Sequence, residues 1–210
     1  MKSLIALLAA AATALLLSSC TSPAPDEHAD HQQGSESSAS AQPAGFNDED
    51  VAFATDMIPH HQQAVEMAAM VPDRSTNPAV LKLAADISAA QGPEIETLKV
   101  FLVQWKEGSD TNPQVPESPA SPSPGGHGGM KATDMQGMID AAAIANLASL
   151  KGAEFDKLWL QSMITHHEGA IEMANAEIAG GANVDAKKLA QQIVAAQQAE
   201  INQMKQMLGG

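Results

Sequence analysis

Met57-Ile-Pro-His-His-Gln-Gln-Ala-Val-Glu-Met-Ala68 returns further along the same chain as Met163-Ile-Thr-His-His-Glu-Gly-Ala-Ile-Glu-Met-Ala174. The copies differ only at Pro59/Thr165, Gln62/Glu168, Gln63/Gly169 and Val65/Ile171. The register holds without a gap into a second shared block, 82–95 against 188–201, while 69–81 has almost nothing in common with its counterpart. Two matched blocks joined by an unmatched stretch read as a duplicated helical hairpin whose turn has drifted. The identities cluster on His, Met, Gln and Glu, so a site is sought there.

Periodicity around the first copy is helical. Phe53, Met57, His60, Ala64, Met67 and Val71 follow at alternating steps of four and three, the stripe a helix turns to a core. Asn47 is a good N-cap, Asp48, Glu49 and Asp50 suit the positive helix end, and Phe46 and Val51 are spaced as a hydrophobic staple. Pro72 ends the helix. Pro59 predicts a kink, which the architecture permits without requiring, since the second copy has Thr165.

The second helix starts at Asn77-Pro78 and carries Val80, Ala84, Ile87, Gln91, Glu94, Leu98, Phe101 and Trp105 as its stripe. Gly92-Pro93 reads as a kink within one helix, because the equivalent Gln198-Ala199 favours helix. A third helix over 153–179 has the stripe Asp156, Trp159, Met163, His166, Ala170 and Met173, and Gly180-Gly181 stops it. Asn183 caps a fourth, striped by Ala186, Ala190, Ile193, Gln197, Glu200, Met204 and Met207.

Two hairpins with unpartnered apolar seams should dock face to face. The expected fold is all-α, a four-helix bundle over 46–208. Repeat one covers 46–106, a Pro- and Gly-rich linker 107–130, a short connecting helix 131–150 and repeat two 152–208. An apolar fraction of 44%, only 3% aromatic residues and no Tyr agree with helices rather than a sheet sandwich. A net charge of −14 excludes a nucleic-acid partner, whose phosphates need a basic surface.

Residues 1–20 read as a bacterial lipoprotein signal peptide. Lys2 is the positive start, the apolar run 4–17 is too short for a comfortable membrane span, and Leu17-Ser-Ser-Cys20 resembles a lipobox. Cys20 is the one Cys of the sequence, so lipidation consumes it and leaves no thiolate for metal or catalysis. Residues 21–45, rich in Ser, Ala and Pro, read as a disordered tether. The expected location is the extracytoplasmic face of the cell membrane, with the lipid anchor as the membrane contact.

Folding the first hairpin through a turn near Ser75 sets His60 level with Ala90. His60, Gln91 and Glu94 then share one layer, and His166, Gln197 and Glu200 its duplicate. Both lie mid-helix, so they merge into one polar layer whether the hairpins dock parallel or antiparallel. Adjacent side chains on a helix diverge by about 100°, so His60 is expected inward and His61 towards a neighbouring helix or solvent. Met57 lies one turn from both histidines, as Met163 does from His166 and His167. Thioether with imidazole is a donor set for copper, Cu(I) above all, and a poor one for Mg²⁺ or Ca²⁺.

The pattern Met-Ile-x-His-His-x-x-Ala-x-x-Met followed by Gln-x-x-Glu-Ile resembles the bacterial domain-of-unknown-function 305 family, over about 45–208. The resemblance implies a ferritin-like four-helix bundle exported to the envelope, with some members tied to copper binding and resistance. Carried over by motif position, the metal candidates are Met57, His60, His61, Met67, Met163, His166, His167 and Met173, backed by Gln91, Glu94, Gln197 and Glu200. His127, Met130, Met135 and Met138 form a looser soft-metal group in the crossover.

A di-iron carboxylate centre is disfavoured, because only Glu94 and Glu200 bring carboxylates to the layer. No nucleophile constellation or phosphate loop is present, so nothing points to an enzyme. Three readings stand: a copper-binding or buffering protein using Met and His; a non-metal structural or interaction module whose polar layer specifies the fold, with His60 bonded to Glu94 or Glu200; and an unrecognised metalloenzyme. Metal held by imidazole should weaken as pH falls through about 6.5.

Overall fold

A computed structural model describes residues 45–111 and 135–209, with side chains of 109–111 left aside. The signal peptide with Cys20, the tether, His127, Met130 and most of the linker lie outside the described residues. Helices α1 (Asp48–Ala69), α2 (Pro78–Thr111), α3 (Ala141–Ser149), α4 (Gly152–Gly180) and α5 (Val184–Met207) follow in order, with a 3₁₀ turn at Val71–Asp73. No strand occurs among the described residues, and the all-α bundle is confirmed. None of the described helices is long and apolar enough to cross a membrane.

Helix starts follow local chemistry. The Asn47 side chain accepts the backbone N–H groups of Glu49 and Asp50, and the Asp50 carboxylate accepts that of Asn47 at 2.6 Å, a reciprocal cap. Asn77 accepts from Ala79 N–H at 3.0 Å, and Asn183 from Asp185 and Ala186 at 3.0 Å each. Such caps contribute about 1 kcal/mol each. Neither Pro59 nor Pro93 interrupts its helix.

Two element boundaries differ from expectation. α2 continues to Thr111, through Gly108 and up to the sequence pair Asn112-Pro113, into the stretch assigned to the linker. The connecting helix is confined to Ala141–Ser149, where Asp140 accepts Ala143 N–H at 2.7 Å and starts it. Met135 and Met138 therefore sit in an irregular strap, not on a helix.

α1 packs against α2, α4 against α5, and the hairpins meet mainly through α1 and α4. Contacts at both ends make α1 and α4 antiparallel. At one end Asn47 Nδ2 donates to Gly180 O (2.9 Å), and the Asp50 carboxylate accepts Ala182 N–H (3.1 Å) and Asn183 N–H (2.8 Å). At the other, Trp159 Nε1 donates to Met67 O (2.9 Å) and Gly152 N–H to Arg74 O (2.7 Å).

The apolar core is split in two. One cluster joins Ala64, Met67, Val71, Leu83 and Ile87 to Phe155, Trp159, Met163, Ile201 and Met204. The other joins Phe53, Met57, Leu98 and Trp105 to Ala170, Ala174, Leu189 and Ile193. Each fully buried large side chain contributes about 1.5–3 kcal/mol of apolar burial. Between the clusters on α1 lie His60 and His61, and on α4 His166 and His167.

The strap 135–140 lies across α1 and α4. Gln63 pairs with Ile139 on both sides, Nε2 donating to Ile139 O and Oε1 accepting Ile139 N–H, each at 2.8 Å. On α4 the strap rests on Gly169, where a Cβ would overlap the Gln136 carbonyl and stand 2.7 Å from Gly137 Cα. Gly137, at φ +81°, makes the matching turn.

Candidate metal centre

His60, His61, His166 and His167 are all fully buried, together with Gln91 and Gln197. The expected polar layer exists, with one apolar cluster on either side. His60 and His166 face one another across the α1–α4 seam, ring centroids 3.8 Å apart and tilted by 39°. His166 and His167 have centroids 6.4 Å apart.

The histidine–carboxylate pairing differs from expectation. His61, not His60, meets Glu94 (Nε2 to Oε2, 2.8 Å), and His167, not His166, meets Glu200 (2.7 Å). The divergence of neighbouring side chains explains this. The inward histidines fill the α1–α4 seam, which turns the flanking ones to α2 and α5, where the carboxylates stand at 20% and 18% side-chain exposure. His60 Nε2 instead meets the strap, 3.2 Å from Gln136 O.

Burial is the main cause of low basicity in the inward pair. It lowers the His60 pKa to about 3, helped by the neighbouring His61 charge. It likewise holds His166 well below the usual imidazole value, with His60 the next contributor. In the metal-free fold both rings therefore hold to the neutral form below the usual imidazole range.

The layer is short of hydrogen bonds. Among the described residues, Nδ1 of His60, His61 and His167, both ring nitrogens of His166, and both amide atoms of Gln91 and Gln197 are buried without a partner. Buried polar atoms are nearly always paired, so a cluster of orphans marks a place for a guest. Neutral imidazoles with free lone pairs suit a borderline or soft cation. Among the described residues no group of three or more His, Cys, Asp or Glu is disposed to hold one ion.

The methionines divide. Met57 and Met163 are fully buried but belong to different clusters, one on each side of the layer. Met67 is buried one turn further out beneath Trp159, and Met173 is only partly buried at the edge of the second cluster. The structure thus brings the four histidines and two glutamines together, with Met57 and Met163 bordering them.

A second polar cluster escaped the sequence reading. Glu177 is fully buried against Gly181, beside Asp50. Burial, then the neighbouring Asp50 carboxylate, push its pKa up to about 8. For Asp50, burial acts upward but is outweighed by the N–H groups of Asn183, Asn47 and Ala182, which leave its pKa lowered. The signal was present, since Glu177 continues the Ala170–Ala174 face of its helix.

The chain belongs to the family Domain of unknown function (DUF305), whose model matches residues 50–208. No curated protein matches it. Among solved structures it is similar to a putative secreted DUF305 protein from Streptomyces coelicolor, at 32% identity over 77% of this chain and 92% of that one, TM-score 0.61. A DUF305 fragment from Deinococcus radiodurans is 32% identical over 80% and 99%, TM-score 0.63. CopM in its Cu(II)-bound form is 31% identical over 75% and 94%, TM-score 0.58, and CopM was also solved bound to Cu(I) and to Ag.

Proposed function

We propose that this protein binds copper outside the cytoplasm, buffering Cu(I) in preference to Cu(II). The observation that carries this reading is the layer of orphaned nitrogens and amides on His60, His61, His166, His167, Gln91 and Gln197. Solved copper and silver forms of CopM support it, as does the secreted description of the Streptomyces relative. His60, His61, His166 and His167 would supply imidazole, with thioether from Met57 and Met163, and with Met67 and Met173 at the margins. Copper here is cargo; the chain contributes donors and a dry enclosure. Titration with Cu(I) against a competing chelator tests the reading. Affinity unchanged by His60→Ala with His166→Ala, in protein that remains helical, sinks it.

The lack of a three-residue His, Cys, Asp or Glu cluster among the described residues favours a second reading, in which the layer only sets helix register. Failure to compete with the chelator would select it.

The protein is held at the membrane by lipid on Cys20. Cys20→Ser should release it from the membrane fraction or leave it unprocessed. Unchanged membrane association would remove the anchor.

A further inference from the structure

We infer that Glu94, Glu200 and the Gln136 carbonyl fix the tautomers of His61, His167 and His60, so that each ring presents Nδ1 as its metal-donor nitrogen. This rests on the copper reading for its ligand half only.

A neutral imidazole carries one N–H and one lone pair, on different nitrogens. A carboxylate and a backbone carbonyl only accept. His61 Nε2 therefore donates to Glu94 (2.8 Å), His167 Nε2 to Glu200 (2.7 Å) and His60 Nε2 to Gln136 O (3.2 Å). The lone pair is left on Nδ1 in all three rings, and in all three Nδ1 is buried without a partner among the described residues. A metal-binding histidine commonly donates its other N–H to a carboxylate or carbonyl, which orients the ring and raises its basicity. Here that outer contact is already in place, three times over, on the same nitrogen.

Nδ1 is bonded directly to Cγ and lies nearer the backbone than Nε2. An ion held by it sits towards α1 and α4, while α2, α5 and the strap grip the far side of the rings. His166, whose nitrogens meet neither a carboxylate nor the strap among the described residues, stands outside this assignment. Glu94 and Glu200 are thus positioning residues.

The test uses the full chain, metal-free, labelled with ¹⁵N at histidine. Long-range ¹H–¹⁵N correlation should show the Nε2–H tautomer for His60, His61 and His167; an Nδ1–H tautomer in His61 or His167 overturns the inference. Glu94→Leu keeps bulk and removes the acceptor. It should release His61 into mixed tautomers while His167, the internal control, keeps its own. A His61 tautomer unmoved by that change overturns the role of Glu94. Silver nitrate is then added as the probe. Displacement of the Nδ1 resonances, with Nε2 still protonated, supports the ligand half; displacement at Nε2 with loss of its proton overturns it. If silver moves no ring, the ligand half falls with the copper reading, while the metal-free spectra still decide the tautomers.

Discussion

Gln63 and Gly169 occupy the same position in the two copies of the motif and act oppositely on the crossover strap. Gln63 grips it through two hydrogen bonds to Ile139, and Gly169 removes its own side chain so that Gln136 and Gly137 can lie on the helix. One strap serves a duplicated pair, so the duplicates cannot remain alike there.

Gly169→Ala should lift the strap. The new Cβ meets backbone on the strap side, and overpacking of this kind costs about 1–3 kcal/mol. Gln63→Ala strands both Ile139 groups, at a similar cost. Urea unfolding and amide exchange at Ile139 measure both effects. A Gly169→Ala protein of parental stability, with Ile139 still protected, would show that the strap is not seated there.

The repeat made the hairpins, the helix starts and the mid-bundle layer legible, because capping and periodicity are local. What escaped was set by packing. Whether His60 or His61 reaches Glu94 depends on which ring the opposite hairpin displaces, and each copy read alone is silent on that. The strap's seat showed only as an unexplained Gln/Gly mismatch. In the sequence Asp50 is a charge at a helix start, yet in the fold it also binds the α4–α5 turn, a partner more than a hundred residues away.

Acid should destabilise the metal-free fold. The folded-state pKa values of His60 and His166 are depressed, so their neutral forms contribute stability that is present above about 6.5. As pH falls from there towards about 3, the unfolded chain takes up protons that buried His60 refuses. Stability should drop by about 1.4 kcal/mol per pH unit for each such histidine. Urea midpoints at pH 7 and pH 5 measure this, and His60→Gln should flatten the slope. A pH-independent midpoint over that interval contradicts the burial of neutral rings.

Rising pH should loosen the end of the bundle where Glu177 lies beside Asp50. The folded pKa of Glu177 is raised from 4.5 to about 8, so its contribution is complete below 4.5 and lost progressively as pH rises towards about 8. Glu177→Gln keeps the shape and removes the titration. The variant should lose this part of the pH dependence. If parent and variant give parallel stability profiles between pH 5 and 9, Glu177 is not the protonated partner of Asp50.

Met57→Leu with Met163→Leu conserves volume and should cost less than about 1.5 kcal/mol at each site in the metal-free protein. Leucine has no donor atom, so Cu(I) affinity should fall even in variant protein whose metal-free fold is retained. Parental affinity would restrict the copper site to the imidazoles.

The facing pair His60–His166 joins equivalent positions of the two copies across antiparallel α1 and α4, with Met67 O bonded to Trp159 on one side and Phe53 and Ala174 sharing an apolar cluster on the other. Each hairpin therefore presents to its neighbour the surface that the neighbour presents back, the self-complementary relation of an isologous dimer. Such a face can arise before any gene fusion, in a short chain that pairs with a second copy of itself. Fusion then converts a concentration-dependent association into an intramolecular one and lets the two halves diverge, as Gln63 and Gly169 have done.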